Sequence, residues 1–342
     1  MTVTSPASAR GTDAQSVARL TEMADYIVPF TLRAVCELRI ADALADGPRP
    51  VAELARTTGT HERSLLKAMR ALAGRGVFTE IRPEVFALTE LGQPLRSDHP
   101  RSLRDAYPLL PADVEAWARF PHSLRTGDAA FDHAHGQSYW EYLEQHPDES
   151  ARFDASQRAV TRREVRTLLP AYEWGAFGTV ADIGGGNGAF LAALLRDHPA
   201  MRGVLFDQPH VVAGAAAVLA EHGVTDRCHV AGGSFFAAVP SGADAYVLKR
   251  ALYDVPDDDV PRILRVVRAA MRPDSRLLVI EPVMEPGDEF SWGKLYDLLL
   301  LTMRGGGSRP LPLLEEQFAD AGLELVRIVR TRGLPIIEAK PI

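Results

Sequence analysis

The sequence predicts an α/β protein in which a helical winged-helix domain precedes a doubly wound, mostly parallel sheet with an antiparallel hairpin at its end. Three observations predict this fold class. After residue 170, short apolar runs alternate with amphipathic helices, the order of parallel strands joined by crossover helices. A glycine-rich turn follows the first of those runs. Before residue 100, a helix, a turn, a helix and two short strands follow one another.

The length of the chain and its pattern of apolar stretches predict four segments. Its 342 residues are too many for one compact core and are natural for two domains. We expect a disordered tail over 1–12, a winged-helix-like domain over 13–100, a helical linker region over 101–168 and the sheet domain over 169–342.

The first domain follows from its hydrophobic spacing. Apolar residues recur at helical intervals across 15–47, and Pro29 kinks or divides that stretch. A helix, a turn at Gly59, a second helix and two strands beginning near Val77 complete the winged-helix order. This order also allows a DNA-binding regulator, in which basic residues of the second helix would face phosphates: Arg63, Lys67 and Arg70.

Composition favours a cytoplasmic protein without a nucleic-acid or membrane partner. The net charge of −7 and pI of about 5.8 give no protein-wide field that attracts phosphates, so a solvated basic face is the favoured interpretation. No apolar run approaches the roughly 20 residues that span a bilayer, and the first residues lack a secretory signal. Cys36 and Cys228 lie too far apart for a disulfide framework or paired zinc ligands, and we predict no metal site.

The linker region concentrates aromatic residues. It reads as helical over 103–165, and Trp140 and Phe153 belong to its aromatic cluster. Such residues are usually core. Because aromatics make up only 7% of the chain, a local cluster is also a suitable wall for a flat ligand.

The sheet domain is predicted from its short apolar runs. The strands are "TVADIG", "RGVLFD", "DAYVLKR" and "RLLVIEP", with amphipathic helices between them. The chain ends in two strand-like runs around Gly333 with no helix between them, which indicates an antiparallel hairpin.

The turn "VADIGGGNGAF" carries the strongest chemical signal. Glycines allow a tight turn and let a ligand approach the backbone without striking a Cβ. Gly184, Gly186 and Ala189 satisfy a loose G-x-G-x-x-A pattern, and Asp207 ends the next strand, where a ribose-binding carboxylate belongs. Nicotinamide, flavin and S-adenosylmethionine proteins share this signal. Asp182, beside the turn, suits an ammonium group better than a pyrophosphate, and the terminal hairpin departs from a dehydrogenase domain.

The ordered motifs of the chain resemble those of caffeate-type small-molecule O-methyltransferases of plants and bacteria. The matching stretches are "GQSYWEYLEQHPDESARFDAS", "VADIGGGNG", "LFDQPHVV", "AGGSFFAAVP", "LKRALYD", "LLVIEP" and "GGGSRP". With the winged-helix segment included, the resemblance covers nearly the whole chain.

The resemblance implies a class I methyltransferase fold, a first domain used for homodimerisation, and metal-independent transfer of methyl from S-adenosylmethionine. It places Gly184 and Gly186 at the methionine portion and Asp207 at the ribose. Many family members have Asp where this chain has Ser234. The residues that it assigns to the cofactor are Asp182, Gly184, Gly186, Asp207, Gln208, Ser234, Phe235, Lys249 and Arg250. A buried Lys or Arg without a partner would be costly, so we expect Lys249 and Arg250 to lie beside the cofactor's carboxylate.

The catalytic residues depart from the family pattern. Tyr253 stands where the family has the histidine base, and Ser308 stands where it has a second carboxylate. Glu281 matches the carboxylate that holds the histidine. A phenol with a pKa near ~10 is mostly protonated at neutral pH, so we expect Tyr253 to orient the acceptor as a hydrogen-bond donor. Glu281 is an orienter, a base in its own right or a structural carboxylate.

This departure leaves two enzymatic hypotheses. One is methylation of an aromatic or polyketide-type hydroxyl, driven by alignment, which can supply about 7–11 kcal/mol. The other is a tailoring reaction without methylation, such as hydroxylation, decarboxylation or pericyclic cyclisation. The residues predicted to contact the substrate in either case are Trp140, Phe153, Gln157, Asp254 and Met303.

Overall fold

The computed structural model describes the backbone of residues 6–342 and the side chains from residue 13 onward. It separates into two compact units, before and from residue 110. Of the tail predicted over 1–12, residues 1–5 lie outside the described residues, and the backbone of the rest belongs to the first helix. No helix within residues 6–342 is both long and apolar enough to cross a membrane.

The first unit has the predicted winged-helix order. Its strands form a small sheet in the order β1-β3-β2. The break between the first two helices falls before Pro29, which lies in the first turn of the second helix, and Gly59 ends the fourth helix at a φ of 67°. The elements are α1 (Pro6–Ala24), α2 (Ile27–Glu37), α3 (Ile40–Ala43), β1 (Arg49–Pro50), α4 (Val51–Thr58), α5 (Glu62–Ala73), β2 (Phe78–Arg82) and β3 (Val85–Leu88).

Helix α5 shows how the sequence pattern sets burial in this unit. Leu65, Met69 and Leu72 recur at helical spacing and are buried in the core of the unit. The basic residues of the helix lie on its exposed side, and Arg70 pairs with Glu80 of the wing at 2.8 Å. That face is therefore solvated, as the sequence favoured.

The second unit begins with helices that correspond to the predicted linker region. Ser138 begins one of them with a capping box, in which its side chain and that of Glu141 satisfy each other's backbone amides. The helices are α6 (Pro111–Ala118), α7 (Phe120–Thr126), α8 (Ala130–His135), α9 (Tyr139–Gln145) and α10 (Pro147–Leu168).

The rest of the second unit is the predicted doubly wound sheet. Within the described chain seven strands pair in the order β6-β5-β4-β7-β8-β10-β9, and they are parallel except for β10, which runs antiparallel to both neighbours. The elements are β4 (Thr179–Ile183), α11 (Ala189–Asp197), β5 (Arg202–Asp207), α12 (Pro209–Val212), α13 (Ala215–Glu221), β6 (Cys228–Gly232), β7 (Ala245–Lys249), α14 (Val260–Ala270), β8 (Arg276–Ile280), α15 (Trp292–Arg304), α16 (Leu311–Asp320), β9 (Leu323–Val329) and β10 (Ile336–Pro341).

The predicted fold class is confirmed, including the terminal hairpin β9–β10. The sequence pattern missed strand β6, because this edge strand has no buried residue and so shows no apolar run. The strand order reverses between β4 and β7, so a crevice opens at their carboxyl ends, where ligands of such sheets bind.

Candidate active site

The glycine-rich turn lies at the carboxyl end of β4. Gly184 and Gly186 have φ angles of 72° and 60°, which L side chains rarely adopt. A Cβ on Gly185 would lie 2.5 Å from Leu205 Cδ1 and 2.7 Å from Asp182 Oδ2. The three consecutive glycines are thus required by backbone conformation and close packing. Their amides are already bonded: those of Gly184 and Gly185 donate to the carbonyl of Phe206, and that of Gly186 donates to Asp207.

Asp207, at the end of β5, fixes this turn. Its Oδ2 accepts from the amide of Gly186 at 2.8 Å, and its Oδ1 accepts from the amide of Gln208 at 2.7 Å. Burial raises the pKa of the carboxyl, and the two amides oppose that shift. Each oxygen keeps a lone pair for a further donor such as a hydroxyl.

Asp182 is a buried carboxylate with no partner. It is 1% exposed, and neither carboxylate oxygen has a hydrogen-bond partner among the described residues. Burial raises its pKa to about 7, against the opposing charge of Lys249. An orphaned buried carboxylate is costly, so the site fits a ligand that carries an ammonium group.

A cavity of about 330 Å³ joins the glycine turn to the aromatic helices. Of the residues predicted for the site, all line it except Glu281 and Met303. The predicted residues that line it are Trp140, Phe153, Asp182, Gly184, Gly186, Gln157, Asp207, Gln208, Ser234, Phe235, Lys249, Arg250, Tyr253 and Asp254.

Lys249 and Arg250 are already paired, which corrects the premise that assigned them a ligand carboxylate. Glu164 of α10 forms an ion pair with Lys249, 2.7 Å from Oε2 to Nζ, and its Oε1 accepts from Arg250 Nε at 2.8 Å. No sequence pattern indicates this role of Glu164, because it lies 86 positions before Arg250. Both cations line the cavity, and the one carboxylate balances only one of their two positive charges. Their predicted contact with the cofactor stays a prediction. Arg250 also has a φ of 55°, uncommon for a residue other than glycine.

The Tyr253 phenol is held by Arg250. The guanidinium Nη1 donates to the phenol oxygen at 3.2 Å, and Nη2 donates to the hydroxyl of Tyr296 at 2.8 Å. Burial raises the pKa of Tyr253 above its ordinary range, against the opposing charge of Arg250. The phenol therefore stays protonated, and because its oxygen accepts from Arg250, its own hydrogen is available to a ligand.

Glu281 lies behind the cavity wall. Its Oε2 accepts from the backbone amide of Tyr253 at 3.1 Å, and its Oε1 lies 4.0 Å from Nη1 of Arg309. Burial raises its pKa to about 7, with Arg309 opposing. Of the three roles left open by the sequence, the geometry favours the structural carboxylate, because the group meets the backbone of Tyr253 and not its phenol.

Ser308 does not restore the missing carboxylate. Its backbone amide donates to Asp297 at 3.0 Å, and its buried hydroxyl has no hydrogen-bond partner among the described residues. Within the described chain, no group of three His, Cys, Asp or Glu residues is placed to hold a metal ion.

Met303 does not line this cavity, and its predicted substrate contact stays a prediction. It is buried in a cluster with Phe131, Tyr139 and Leu143. The next residue, Arg304, lines the cavity instead, and no sequence motif indicates it.

Two family models match most of this chain. Residues 117–324 match the model of the O-methyltransferase domain, and residues 21–98 match the O-methyltransferase dimerisation domain. The phenazine O-methyltransferase PhzM of Lysobacter antibioticus is 41% identical over 93% of this chain and 94% of its own. The solved structure of CalO1, a methyltransferase in calicheamicin biosynthesis with S-adenosylhomocysteine bound, is 37% identical with a TM-score of 0.82 and covers 96% of this chain and 99% of that one.

One relative has a different activity in its name. The aclacinomycin 10-hydroxylase RdmB of Streptomyces purpurascens is 33% identical over 92% of this chain and 86% of its own.

Proposed function

The chain belongs to the family of S-adenosylmethionine-dependent O-methyltransferases, and we propose that its acceptor is a hydroxyl of a flat aromatic, polyketide-type natural product. The observation that carries this proposal is the single cavity that runs from the orphaned Asp182 and the glycine turn to the rings of Trp140 and Phe153. A relative named for a phenazine substrate supports a flat, fused acceptor.

The residues of the glycine turn fit the cofactor. Asp182 would take the ammonium group, and Asp207 would take the ribose hydroxyls with its remaining lone pairs. Ser234 and Phe235 would line the adenine. When bound, S-adenosylmethionine supplies an electrophilic methyl group on a sulfonium; the residues of this chain align the acceptor against it.

Tyr253 orients the acceptor in this proposal. Arg250 occupies a lone pair of the phenol, so the phenolic hydrogen is available to the acceptor oxygen. A donor fixed in this way also stabilises an acceptor that enters as its anion. Losing a positioned base typically costs roughly 10²- to 10⁴-fold in rate, so the proposal favours acceptors that ionise readily.

Glu281 acts on the reaction through the backbone. By accepting from the amide of Tyr253, it fixes the segment that carries the phenol, and Arg309 supports the same segment by donating to the carbonyl of Leu252 at 2.9 Å. Glu281 is thus a positioning residue.

We further propose that the enzyme is a homodimer through the first unit. Helices α1 and α2 and the turn between them expose large apolar side chains that a soluble monomer would seldom leave in water. These residues are Val17, Leu20, Met23, Tyr26 and Ile27. The match of 21–98 to a dimerisation domain supports this use. Light scattering should give twice the chain mass, and the double variant L20D/M23D should give the monomer.

A second function is favoured by a specific observation. Tyr253 and Ser308 occupy the positions of the usual base and carboxylate, and a relative that is similar over 92% of this chain is named a hydroxylase. The same pocket could therefore bind the cofactor and change the acceptor's skeleton without methylating it.

One experiment separates these functions. The purified enzyme is incubated with S-adenosylmethionine carrying a labelled methyl group and a panel of polycyclic phenols, and the products are analysed by mass spectrometry. We expect the label in the phenol together with stoichiometric S-adenosylhomocysteine. A changed skeleton without label would replace the proposal with the second function. Tight cofactor binding with no reaction on any phenol would contradict both.

A further inference from the structure

Arg304 is placed unlike any other arginine that the structure describes. It is the last residue of α15, and its guanidinium carbon lies 4.7 Å from the ring centroid of Tyr139, 4.5 Å from that of Trp140 and 5.5 Å from that of Phe153. Trp140 and Phe153 also line the cavity of about 330 Å³, as does Arg304 itself. A cation therefore lies among the rings that would contact a flat acceptor.

The charge of Arg304 is balanced, but its hydrogen bonding is incomplete. Nη1 pairs with Asp254, whose carboxylate also lines the cavity. The Nε–H is buried and has no hydrogen-bond partner among the described residues. A buried donor without an acceptor is costly, so the site is complete only when an oxygen from a ligand or water meets this arginine.

The position of Arg304 relative to Tyr253 indicates which substituent of the acceptor the arginine would bind. Arg304 pairs with Asp254, the residue that follows Tyr253, and Arg304 and Tyr253 line the same cavity. A ring held by its hydroxyl at Tyr253 would thus present the adjacent substituent to Arg304. A guanidinium donates in its own plane, which suits an oxygen in the plane of an aromatic ring.

We propose that Arg304 determines acceptor specificity by binding an in-plane oxygen, a carboxylate or a ring carbonyl, that neighbours the hydroxyl to be methylated. This inference rests on the proposed function and deepens it. Such an oxygen normally accepts a hydrogen bond from the neighbouring hydroxyl. When Arg304 takes it, the hydroxyl is released to Tyr253 and its anion is stabilised by the nearby positive charge.

Three acceptors and two variants test the proposal. The acceptors are a hydroxynaphthoate with adjacent groups, a hydroxyanthraquinone with its hydroxyl beside a carbonyl, and plain naphthol. Affinity is measured by calorimetry on the enzyme saturated with S-adenosylhomocysteine, and kcat and KM are measured in parallel. Arg304→Met should weaken the oxygen-bearing acceptors about 10- to 100-fold and leave naphthol within about threefold. Arg304→Lys should recover part of the loss, because it keeps the charge without the planar fork.

Two further variants guard the interpretation. Arg304→Met leaves Asp254 unpaired, so the double variant R304M/D254N, which buries no lone charge, should show the same selective loss. Arg327→Met is the matched control, because Arg327 also pairs with a carboxylate, Glu338, and lies 5.3 Å from the ring of Tyr172, away from the cavity. It should change none of the affinities.

The outcomes divide cleanly. A selective loss for the acid, the quinone or both supports the proposal and identifies which oxygen is recognised. An equal change for all three acceptors, no change, or no binding of either oxygen-bearing acceptor overturns it. Selective, Arg304-dependent binding without any methylated product would contradict the proposed function alone, since the affinities are measured without turnover.

Discussion

The two ends of the cavity are built in different ways. At the cofactor end, Asp207 binds one backbone amide of the glycine turn, that of Gly186, only 21 positions away, and Asp182 has no hydrogen-bond partner among the described residues. At the acceptor end, charged side chains pair with one another across 86 positions for Arg250 and Glu164 and 50 positions for Arg304 and Asp254. The cofactor end lacks a hydrogen-bond donor for Asp182, which a ligand must bring. The acceptor end is largely preorganised.

This difference teaches where each part of the chemistry resides. The cofactor end depends on backbone conformation and on carboxylates that a cationic ligand can neutralise. The acceptor end depends on pairings that hold Tyr253 and Arg304 in place before any ligand arrives. Substitutions at the first end should therefore act on cofactor binding, and those at the second on turnover and acceptor choice.

The largest effect is expected at the cofactor end. Asp207→Ala removes the acceptor of the Gly186 amide together with the oxygens proposed for the ribose. Affinity for S-adenosylmethionine should fall by about 100-fold or more, because two charge-assisted hydrogen bonds are lost. Calorimetry measures this, and Asp226→Ala, at an exposed position of the same unit, is the control. Unchanged affinity in Asp207→Ala would show that the cofactor binds elsewhere.

A smaller and separable effect is expected at the acceptor end. Tyr253→Phe removes the hydroxyl that accepts from Arg250, so kcat should fall several-fold, by about three- to tenfold. Cofactor affinity should not change. Tyr246→Phe is the matched control: its hydroxyl donates to the carbonyl of Ala270 at 2.7 Å and is remote from the cavity wall. A rate for Tyr253→Phe equal to that of the unmodified enzyme would remove Tyr253 from the mechanism.

The buried carboxylates predict a pH dependence of stability. Folding raises the pKa of Glu281 from its ordinary value of 4.5 to about 7, so the folded state holds more protons between these values. The stabilisation is complete below the unfolded pKa and is lost as the pH rises through about 7. The Tm of the cofactor-free enzyme should therefore fall between about pH 5 and pH 8.

Glu281→Gln sharpens this test. Its neutral amide oxygen can still accept from the amide of Tyr253, so the Tm of this variant should fall less across the same range, with a difference of a few degrees. Asp182 keeps its own contribution in both proteins. Glu324→Gln, at the surface, should leave the profile unchanged. Identical profiles for Glu281→Gln and the unmodified enzyme would contradict the raised pKa.

The smallest effect is expected at Met303. Met303→Leu conserves volume inside a packed cluster, so it should cost less than about 1.5 kcal/mol in unfolding free energy and leave kcat/KM within about twofold. Denaturant unfolding and steady-state kinetics check both values. A marked rise in KM for the acceptor would show that Met303 contacts the acceptor.

Particular residues show which features local sequence patterns predict and which they do not. The glycine turn, Asp207 and the terminal hairpin were predicted, because strand ends and glycine spacing are local patterns. Strand β6 was missed because it buries no residue. The sequence predicts a substrate contact for Met303 and none for Arg304, although the two residues are neighbours. Successive helical residues point about 100° apart, so only the packing of α15 decides which of the two lines the cavity.

By itself, the sequence determined the two-domain order, the parallel sheet and a cofactor turn closed by a carboxylate, because apolar periodicity and backbone conformation are encoded by residues close together in the chain. The tertiary structure alone decided that Glu164 pairs with both Lys249 and Arg250, that Glu281 faces a backbone amide, and that Arg304 lies among aromatic rings. These pairings join residues far apart in the chain, and they exist only where the helices of the second unit meet the carboxyl ends of its strands.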